Sequence, residues 1–398
     1  QQCKRARNIV SEPTRLLWSC LAGRAAAHME EISPERAPGR APNRRAPSWQ
    51  QKVSNEEYDS MVYKMPANPS AVDYVLVWPR AIASFFVRVS AAFGWRYVCF
   101  VILVYGLNQG LGESLSFFAT QYLLTDEQPD GLGLPPERFA AIEGFAHMPW
   151  QMKAVYGILS DLLPIAGFHR SPYVLIASVV GSVAYALLSA LRGKALAPQL
   201  AAVLLMLGNF SMASPDVMID ASMAERTASN PRHGSDLQAL AWGMMSIFSL
   251  VGSACKGVLL STFGTRTLFA LTVVTSAALL PPAVLGWLSE RRDVEAAPCC
   301  CARKTLAKAR AAFSDHGRAP VLRLSLVVCA LSFSLGGTSL ATDSATIICL
   351  VGVGITALVT AFVYFEERKV SRVLAKASVY IFLSGALQPS TPAMFYWY

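Results

Sequence analysis

Charged side chains that interrupt long apolar stretches are the residues of this chain with the clearest capacity for chemistry. Lys153 lies ten residues before Leu163, which ends one apolar stretch, and a helical rise of about 1.5 Å per residue places it ~15 Å from that end. Asp216 lies nine residues before Glu225 in another stretch, at a depth of ~14 Å by the same rise. We therefore expect Lys153 and Asp216 to lie at nearly the same level, where an ionised side chain is costly unless it faces a cavity or a counter-charge.

Two interpretations of Lys153 and Asp216 stay open. One is a structural ion pair that ties two helices together, and the other is a cavity site that binds a substrate and protons. Asp220 lies four residues after Asp216 and shares its helix face, and two neighbouring carboxylates in an apolar setting are suited to proton uptake. Pro215 frees a backbone carbonyl in the preceding turn, which makes this stretch locally polar. Our hypothesis assigns substrate binding to Lys153 and Asp216, and proton coupling to Asp216 and Asp220.

Polar residues in the first two apolar stretches are further candidates. Gln109 and Glu113 share a helix face, and we expect them to line a cavity and bind substrate rather than only to join two helices by hydrogen bonds. Glu143 and His147 share a face in the second stretch, nearer its outer end. His147 is either a proton relay or, more commonly for a histidine in such a position, a structural residue.

A third group of residues lies where the second and fourth stretches end. Gly157 precedes Asp161 by four residues, and Arg170 follows in the next connection. Glycine lets two helices approach closely, and an aspartate at the edge of a stretch can pair with a basic group or a helix N-terminus. Glu225 and Arg226 end the fourth stretch. We predict that these five residues gate access to the site, the alternative for Asp161 being an ordinary solvated loop residue.

The composition excludes most classes of soluble protein. Of the 398 residues, 53% are hydrophobic and 15% are charged, whereas roughly 25% are charged in an average soluble domain. The net charge of +9 does not indicate nucleic-acid binding, because the basic residues flank apolar stretches. Cys299, Cys300 and Cys301 are contiguous and lack the spacing of a zinc site, so they are an unmodified loop cluster or a palmitoylation site. No metal and no cofactor is expected, and we predict that the protein is not an enzyme.

The apolar pattern predicts an all-α polytopic membrane protein with about nine spans, each of about 20 residues. Residues 1–70 are basic and Pro-rich and are predicted to be disordered, and residues 71–96 are predicted to form an interfacial helix. Residues 97–289 form a bundle of six spans, residues 290–319 a connecting loop, and residues 320–398 the first part of a second bundle. The predicted spans are 97–124, 139–162, 173–192, 198–224, 237–263, 266–289, 320–341, 344–365 and 377–398.

The charges of the connections predict an orientation. Fourteen Lys and Arg residues follow the even-numbered spans, and four follow the odd-numbered spans. Because positive residues concentrate in cytoplasmic loops, we expect the amino terminus and the 290–319 loop to be cytoplasmic, or stromal in a plastid envelope.

Five blocks of this sequence form a recognisable set: Pro149 to Asp161, Gly167 to Tyr173, Pro215 to Arg226, Gly234 to Trp242, and Phe382 to Tyr396. Together they resemble the folate–biopterin transporter family, a branch of the major facilitator superfamily. The resemblance covers roughly residues 97–293 and, in a second patch, residues 378–398. Two departures are Ala154, where the family usually has proline, and the pair Cys255-Lys256, where an aromatic or small residue is expected.

This resemblance implies a major facilitator fold of nominally twelve helices, so that nine spans would lack the last three. It implies a monomeric carrier in the plasma membrane or a plastid envelope that moves folates or pterins with protons by alternating access. The alternatives are a carrier of another organic anion and a truncated remnant that does not transport. The residues that fall on the family's characteristic charged positions are Lys153, Asp161, Asp216, Asp220, Glu225 and Arg226.

Overall fold

The computed structural model describes residues 53–229, 233–290, 319–342, 344–369 and 371–387. Throughout these ranges the chain is helical, with short connections and a single isolated β-bridge between Ile165 and Phe168. We number the helices in chain order: α1 Asn55–Ser60, α2 Ala71–Phe93, α3 Trp95–Thr125, α4 Pro136–Ala146, α5 Met148–Gln151, α6 Lys153–Leu162, α7 Ser171–Ala190, α8 Pro198–Ser229, α9 Gly234–Phe263, α10 Thr265–Ala277, α11 Leu280–Val284, α12 Ala319–Ala341, α13 Ala345–Glu367 and α14 Arg372–Ala386.

Seven helical segments of the described chain are long and apolar enough to cross a membrane. They comprise α2, α3, α7, α8, α9, the α10–α11 segment Thr265–Val284, and Thr346–Glu367 of α13. The prediction of an all-α polytopic membrane protein is confirmed. The predicted second span, and those predicted at 320–341 and 377–398, are not among the seven, and α12 contains a shorter apolar segment, Leu322–Thr338.

The predicted second span, 139–162, is not one continuous helix. It consists of α4, α5 and α6, which are separated at His147 and Met152. Pro149 lies in the first turn of α5, where a missing N–H is tolerated, but its ring is incompatible with a helix that continues through it. The interruption places Trp150 and Lys153 at the start of new turns rather than along one straight helix.

The first long helix, α3, changes its winding over the residues that were predicted to line a cavity. Residues Ile102–Glu113 form a π-helix, in which each N–H bonds five residues back. Long π-helical segments are rare and are frequently associated with functional sites. Gly110 packs here against α9, where an added Cβ would come within 2.5 Å of the Met245 carbonyl oxygen. The close approach of the two helices therefore requires glycine at this position.

The amino-terminal helices are attached to the start of α9, although α1 falls inside the range predicted to be disordered. Tyr58 of α1 is buried, and its hydroxyl donates a hydrogen bond of 2.6 Å to Asp236. Arg88 of α2 forms an ion pair of 2.7 Å with the same carboxylate. Burial and the neighbouring Asp236 raise the pKa of Tyr58. The helix α2 has the length and apolarity of a span, and its interfacial position stays a prediction.

Two apolar clusters pack the bundle. One joins α2, α3, α6, α7, α8, α9 and the end of the α10–α11 segment, and the other joins α3, α4, α7, α8 and α10. Hydrogen bonds between polar groups add to this packing, as for Asn108, whose amide N–H donates to the Ser211 carbonyl at 3.1 Å. The helices α3 and α8, which carry the predicted site, are thereby held against each other.

Candidate functional site

A cavity of about 500 Å³ lies between α3, α5, α6, α8 and α9. Five of the residues that the sequence indicated as binding or coupling residues line it together. The remaining lining residues include three large aromatic side chains, which sequence patterns alone did not single out. The cavity is lined by Tyr105, Gln109, Glu113, Trp150, Lys153, Asp216, Asp220, Ala224, Thr227, Gln238, Trp242 and Met245.

The centre of this cavity is an ion pair between α6 and α8. The ammonium of Lys153 lies 2.5 Å from Oδ2 of Asp216, and the amide of Gln109 donates to the other carboxylate oxygen at 2.6 Å. Asp216 is almost completely buried, whereas the Lys153 side chain is 39% exposed. Lys153 also lies over the Trp150 ring, 4.5 Å from its centroid. The anion is therefore held in place from two sides, while the cation stays accessible from the cavity.

Asp220 follows Asp216 by one helical turn and faces the same cavity. It accepts a hydrogen bond from the Tyr105 hydroxyl of the π-helical segment. Because Tyr105, Gln109 and Glu113 are spaced by four residues, the three side chains present polar groups from one side of α3 to the two aspartates. This places two carboxylates of α8 and one of α3 around a common space.

The residues predicted to control access are not all in one cluster. Arg170 and Glu225 form two parallel hydrogen bonds, one of which, from Nη1, is 2.7 Å long. Burial by itself lowers the pKa of Arg170, but the hydrogen bonds and negative charge of Glu225 outweigh it and raise the pKa. Arg226, the next residue, makes different direct contacts: it donates to the Leu288 carbonyl at 2.7 Å and stacks over the Tyr97 ring. Arg226 therefore ties α8 to the chain after α11.

The contacts of Gly157 and Asp161 are less specific than the sequence pattern indicated. An added Cβ at Gly157 would meet Val217 at 3.4 Å, an ordinary contact, so close approach of α6 and α8 does not depend on glycine there. Asp161 is exposed at the end of α6, and its charge contributes to the raised pKa of Arg170. Neither position reveals a gating role on its own, and gating stays a prediction for both.

Glu290 is a structural residue that the sequence pattern did not reveal. Its carboxylate accepts hydrogen bonds from the backbone N–H groups of His169, Arg170 and Ser171 at 2.5–3.2 Å, and from the Ser171 hydroxyl at 3.1 Å. A carboxylate at this point satisfies the free N–H groups at the start of α7 and interacts favourably with the helix dipole. An acidic residue just after an apolar stretch resembles any solvated loop residue, so only the fold shows its partner.

The remaining candidates concern metals and cysteines. The described residues contain no group of three or more His, Cys, Asp or Glu side chains placed to hold a metal ion. Cys299, Cys300 and Cys301, for which palmitoylation was one interpretation, lie outside the described residues.

Comparison with known proteins gives consistent results. Residues 109–397 match the model of the BT1 family. The chain is 36% identical over 182 residues to "Probable folate-biopterin transporter 2" of Arabidopsis thaliana, an alignment that covers 46% of this chain and 35% of the relative. It is 32% identical over 176 residues to "Folate-biopterin transporter" of Synechocystis sp., covering 44% of this chain and 34% of the relative.

The chain thus spans about a third of the length of these curated relatives. A further relative, "Probable folate-biopterin transporter 9, chloroplastic" of Arabidopsis thaliana, is 30% identical over 151 residues, or 37% of this chain and 28% of the relative. No solved structure matches the chain. Since the family model covers well over half of the sequence, the chain belongs to the BT1 family.

Proposed function

We propose that this protein is a secondary active transporter of folates or pterins, and that the 500 Å³ cavity is its substrate site. The observation that carries the proposal is the Lys153–Asp216 pair, whose cation is accessible from the cavity. Support for the cargo comes from the relatives, which are named folate-biopterin transporters. The cavity volume falls within the roughly 300–1,000 Å³ typical of small-molecule sites.

The cavity offers groups that recognise either the pterin ring or the anionic tail of a folate, because Lys153 and Asp216 lie too close together to bind both ends of one molecule at once. A pterin ring presents adjacent N–H donors, which a carboxylate such as Asp216 accepts in a bidentate arrangement. Its flat face can stack on the aromatic rings of Trp150 and Trp242. The glutamate tail is anionic and requires a cation, which Lys153 provides. Gln109 and Glu113 complete the polar wall next to this pair.

Proton coupling and alternating access form the second part of the proposal. Asp220, together with Asp216, is the proposed proton-coupling residue, because it faces the cavity and interacts with Tyr105. The Arg170–Glu225 pair, with Asp161, Gly157 and Arg226, is proposed to stabilise one state of the access cycle. The protein would act as a monomer in a plasma membrane or plastid envelope, with a cytoplasmic or stromal amino terminus.

A carrier of a different organic anion is the second candidate. It is favoured by the ammonium of Lys153, which binds any accessible carboxylate as a point charge and does not select a planar partner. The two candidates differ in what they require of the aromatic walls, because only a flat heterocycle benefits from stacking on Trp150 and Trp242.

Uptake measurements on the full-length protein test the proposal directly. Labelled folate, biopterin and unrelated organic anions are offered to proteoliposomes with and without a pH gradient. We expect folate or biopterin to accumulate and the pH gradient to accelerate accumulation. Uptake of other anions but not of folate or biopterin would establish the second candidate, and absence of all uptake would favour a protein that does not transport.

A further inference from the structure

A second and much smaller cavity adjoins the substrate cavity, because Glu113 lines both. Its volume is about 20 Å³, and a space of roughly 10–15 Å³ by this measure accommodates one water molecule. Polar side chains contribute to its wall from two helices and from the break after α4: Ser116 and Thr120 of α3, Asn209 of α8, and His147. We call this space the water chamber. It is polar enough to give a single water several hydrogen-bonding partners.

His147 occupies the break between α4 and α5, and its surroundings determine its tautomer. Its Nδ1 atom lies 3.0 Å from the backbone carbonyl oxygen of Glu143. A carbonyl oxygen only accepts, so Nδ1 carries the hydrogen and donates it. In the neutral ring the other nitrogen, Nε2, is then the basic one and can take up a proton. The ring also packs edge-on against Phe117, which restricts its orientation.

The charged and titratable groups around Glu113 differ between its two sides. On the substrate side, the charges of Lys153 in α6 and Asp216 in α8 are near enough to interact with the Glu113 carboxyl group. On the chamber side the neighbouring groups are His147 and the hydroxyl of Tyr185 from α7. Glu143 of α4 is buried and lies one helical turn before His147, which directly follows the end of α4. Glu113 therefore connects a space that holds the proposed proton-coupling aspartates with a space that holds a basic imidazole.

We propose that Glu113, one water molecule and His147 form a proton relay that leads out of the substrate cavity, an inference that rests on the proposed proton-coupled transport. In the transfer, the Glu113 carboxyl gives its proton to the water while the water gives one to Nε2 of His147. The carboxyl becomes a carboxylate and the imidazole becomes an imidazolium, so that only O–H and N–H bonds form and break. The reverse transfer reloads Glu113 from His147.

Replacing His147 tests whether proton transfer can be impaired while substrate movement is retained. In His147→Asn, the amide N–H can keep the hydrogen bond to the Glu143 carbonyl, but no group titrates in the physiological range. Full-length protein in proteoliposomes is assayed in two ways: exchange of labelled for unlabelled folate, which requires no net proton movement, and accumulation driven by a pH gradient. We expect exchange to stay within about twofold of the wild type and gradient-driven accumulation to fall at least tenfold.

His169→Gln is the matched control. The ring of His169 also bonds a backbone carbonyl through Nδ1, that of Ser160 at 3.1 Å, but it lies in the connection between α6 and α7 and does not line the chamber. The ratio of accumulation to exchange should stay at the wild-type value in this variant. His147→Gln, which places an amide nearer the position of Nε2, is a second variant in case His147→Asn does not insert.

Two outcomes would overturn the relay. An equal loss of exchange and accumulation on replacing His147 would show a structural histidine, and unchanged accumulation would show that protons take another route. Wild-type protein that exchanges folate but is indifferent to the pH gradient would refute the proton coupling itself. If only the relay is wrong, the wild type still responds to the pH gradient, and this result differs from the one expected if proton coupling itself is absent.

Discussion

The substrate cavity and the α6–α7 connection each contain an ion pair, but the buried partner has the opposite charge in the two places. In the cavity the buried member is the anion Asp216, 5% exposed, and the cation Lys153 is 39% exposed. At the connection the buried member is the cation Arg170, 9% exposed, and the anion Glu225 is 58% exposed. The cavity therefore presents a positive group and the connection a negative one.

This difference indicates that the two ion pairs have different functions. An accessible lysine next to a buried aspartate can exchange its partner for an anionic substrate without leaving the aspartate unsatisfied, because Gln109 also donates to it. Arg170 is held by both oxygens of Glu225 in α8, and its backbone N–H bonds Glu290 in the chain after α11, so two separate parts of the chain fix its position. The first arrangement suits binding, and the second suits the stabilisation of one conformation.

The largest effect is expected from removing the charge of Lys153. Lys153→Ala should reduce folate uptake to background while the protein still inserts, because the anionic tail loses its partner. Uptake by proteoliposomes measures this, with insertion checked by detergent extraction and size-exclusion chromatography. Uptake at the normal rate would show that Lys153 is not part of the substrate site.

The double variant Lys153→Ala/Asp216→Asn decides between the two interpretations of this pair. Removing one partner leaves a buried charge, which typically costs about 3–5 kcal/mol, whereas neutralising both avoids that loss. If the pair only ties α6 to α8, the double variant should regain uptake relative to Lys153→Ala. We expect thermal stability to recover and uptake to stay at background, because the binding groups are still absent.

A smaller effect is expected at the α6–α7 connection. Glu225→Gln removes the charge that compensates Arg170, and a lost hydrogen bond to a charged group costs about 1–3 kcal/mol. Transport should slow about tenfold, corresponding to roughly 1.4 kcal/mol between two states, while folate binding in detergent is unchanged. For comparison, Asp161→Asn removes a charge that acts on Arg170 without a hydrogen bond, so it should slow transport in the same direction but by less than twofold. Weakened binding together with slower transport would contradict the separation of the two regions.

A substitution at Asp220 tests proton coupling in the substrate cavity. In Asp220→Asn the amide can still accept from Tyr105 but takes up no proton, so the acceleration of uptake by a pH gradient should fall severalfold. The response is measured as the ratio of initial rates with and without the gradient. A ratio equal to that of the wild type would remove Asp220 from the coupling role.

Residue types and helical spacing predicted much of this cavity. Counting residues along apolar stretches placed Lys153 and Asp216 at one level, and the structure pairs them. The same counting did not reveal Tyr105 or Trp242, because an aromatic residue in an apolar stretch has no distinguishing pattern. The contribution of Glu290 was also missed, since a cap over the start of α7 depends on a contact between residues 119 to 121 positions apart.

The irregular helix geometry of α3 and of residues 139–162 was the least predictable feature of the fold. Apolar periodicity indicated a continuous helix over 139–162, and only the structure shows the breaks at His147 and Met152. The π-helical segment of α3 likewise leaves no local signal in the residue types, and only the structure shows it and its close contact with α9 at Gly110. These two irregularities are the ones that bring α3, α5 and α6 around the cavity.

The smallest effect is expected from Gly157→Ala, and it is informative when compared with Gly110→Ala. A methyl group at position 157 meets Val217 at ordinary contact distance, so stability and uptake should stay within about twofold of the wild type. At position 110 the same methyl group would lie 2.5 Å from the Met245 carbonyl and 2.9 Å from Phe248, which forces α3 away from α9. Alanine there should lower stability by about 1–3 kcal/mol, measured as a fall in melting temperature in detergent. A large loss at 157 would mean that α6 approaches α8 more closely in another state of the cycle, and that the gating role proposed for Gly157 requires the absence of a side chain.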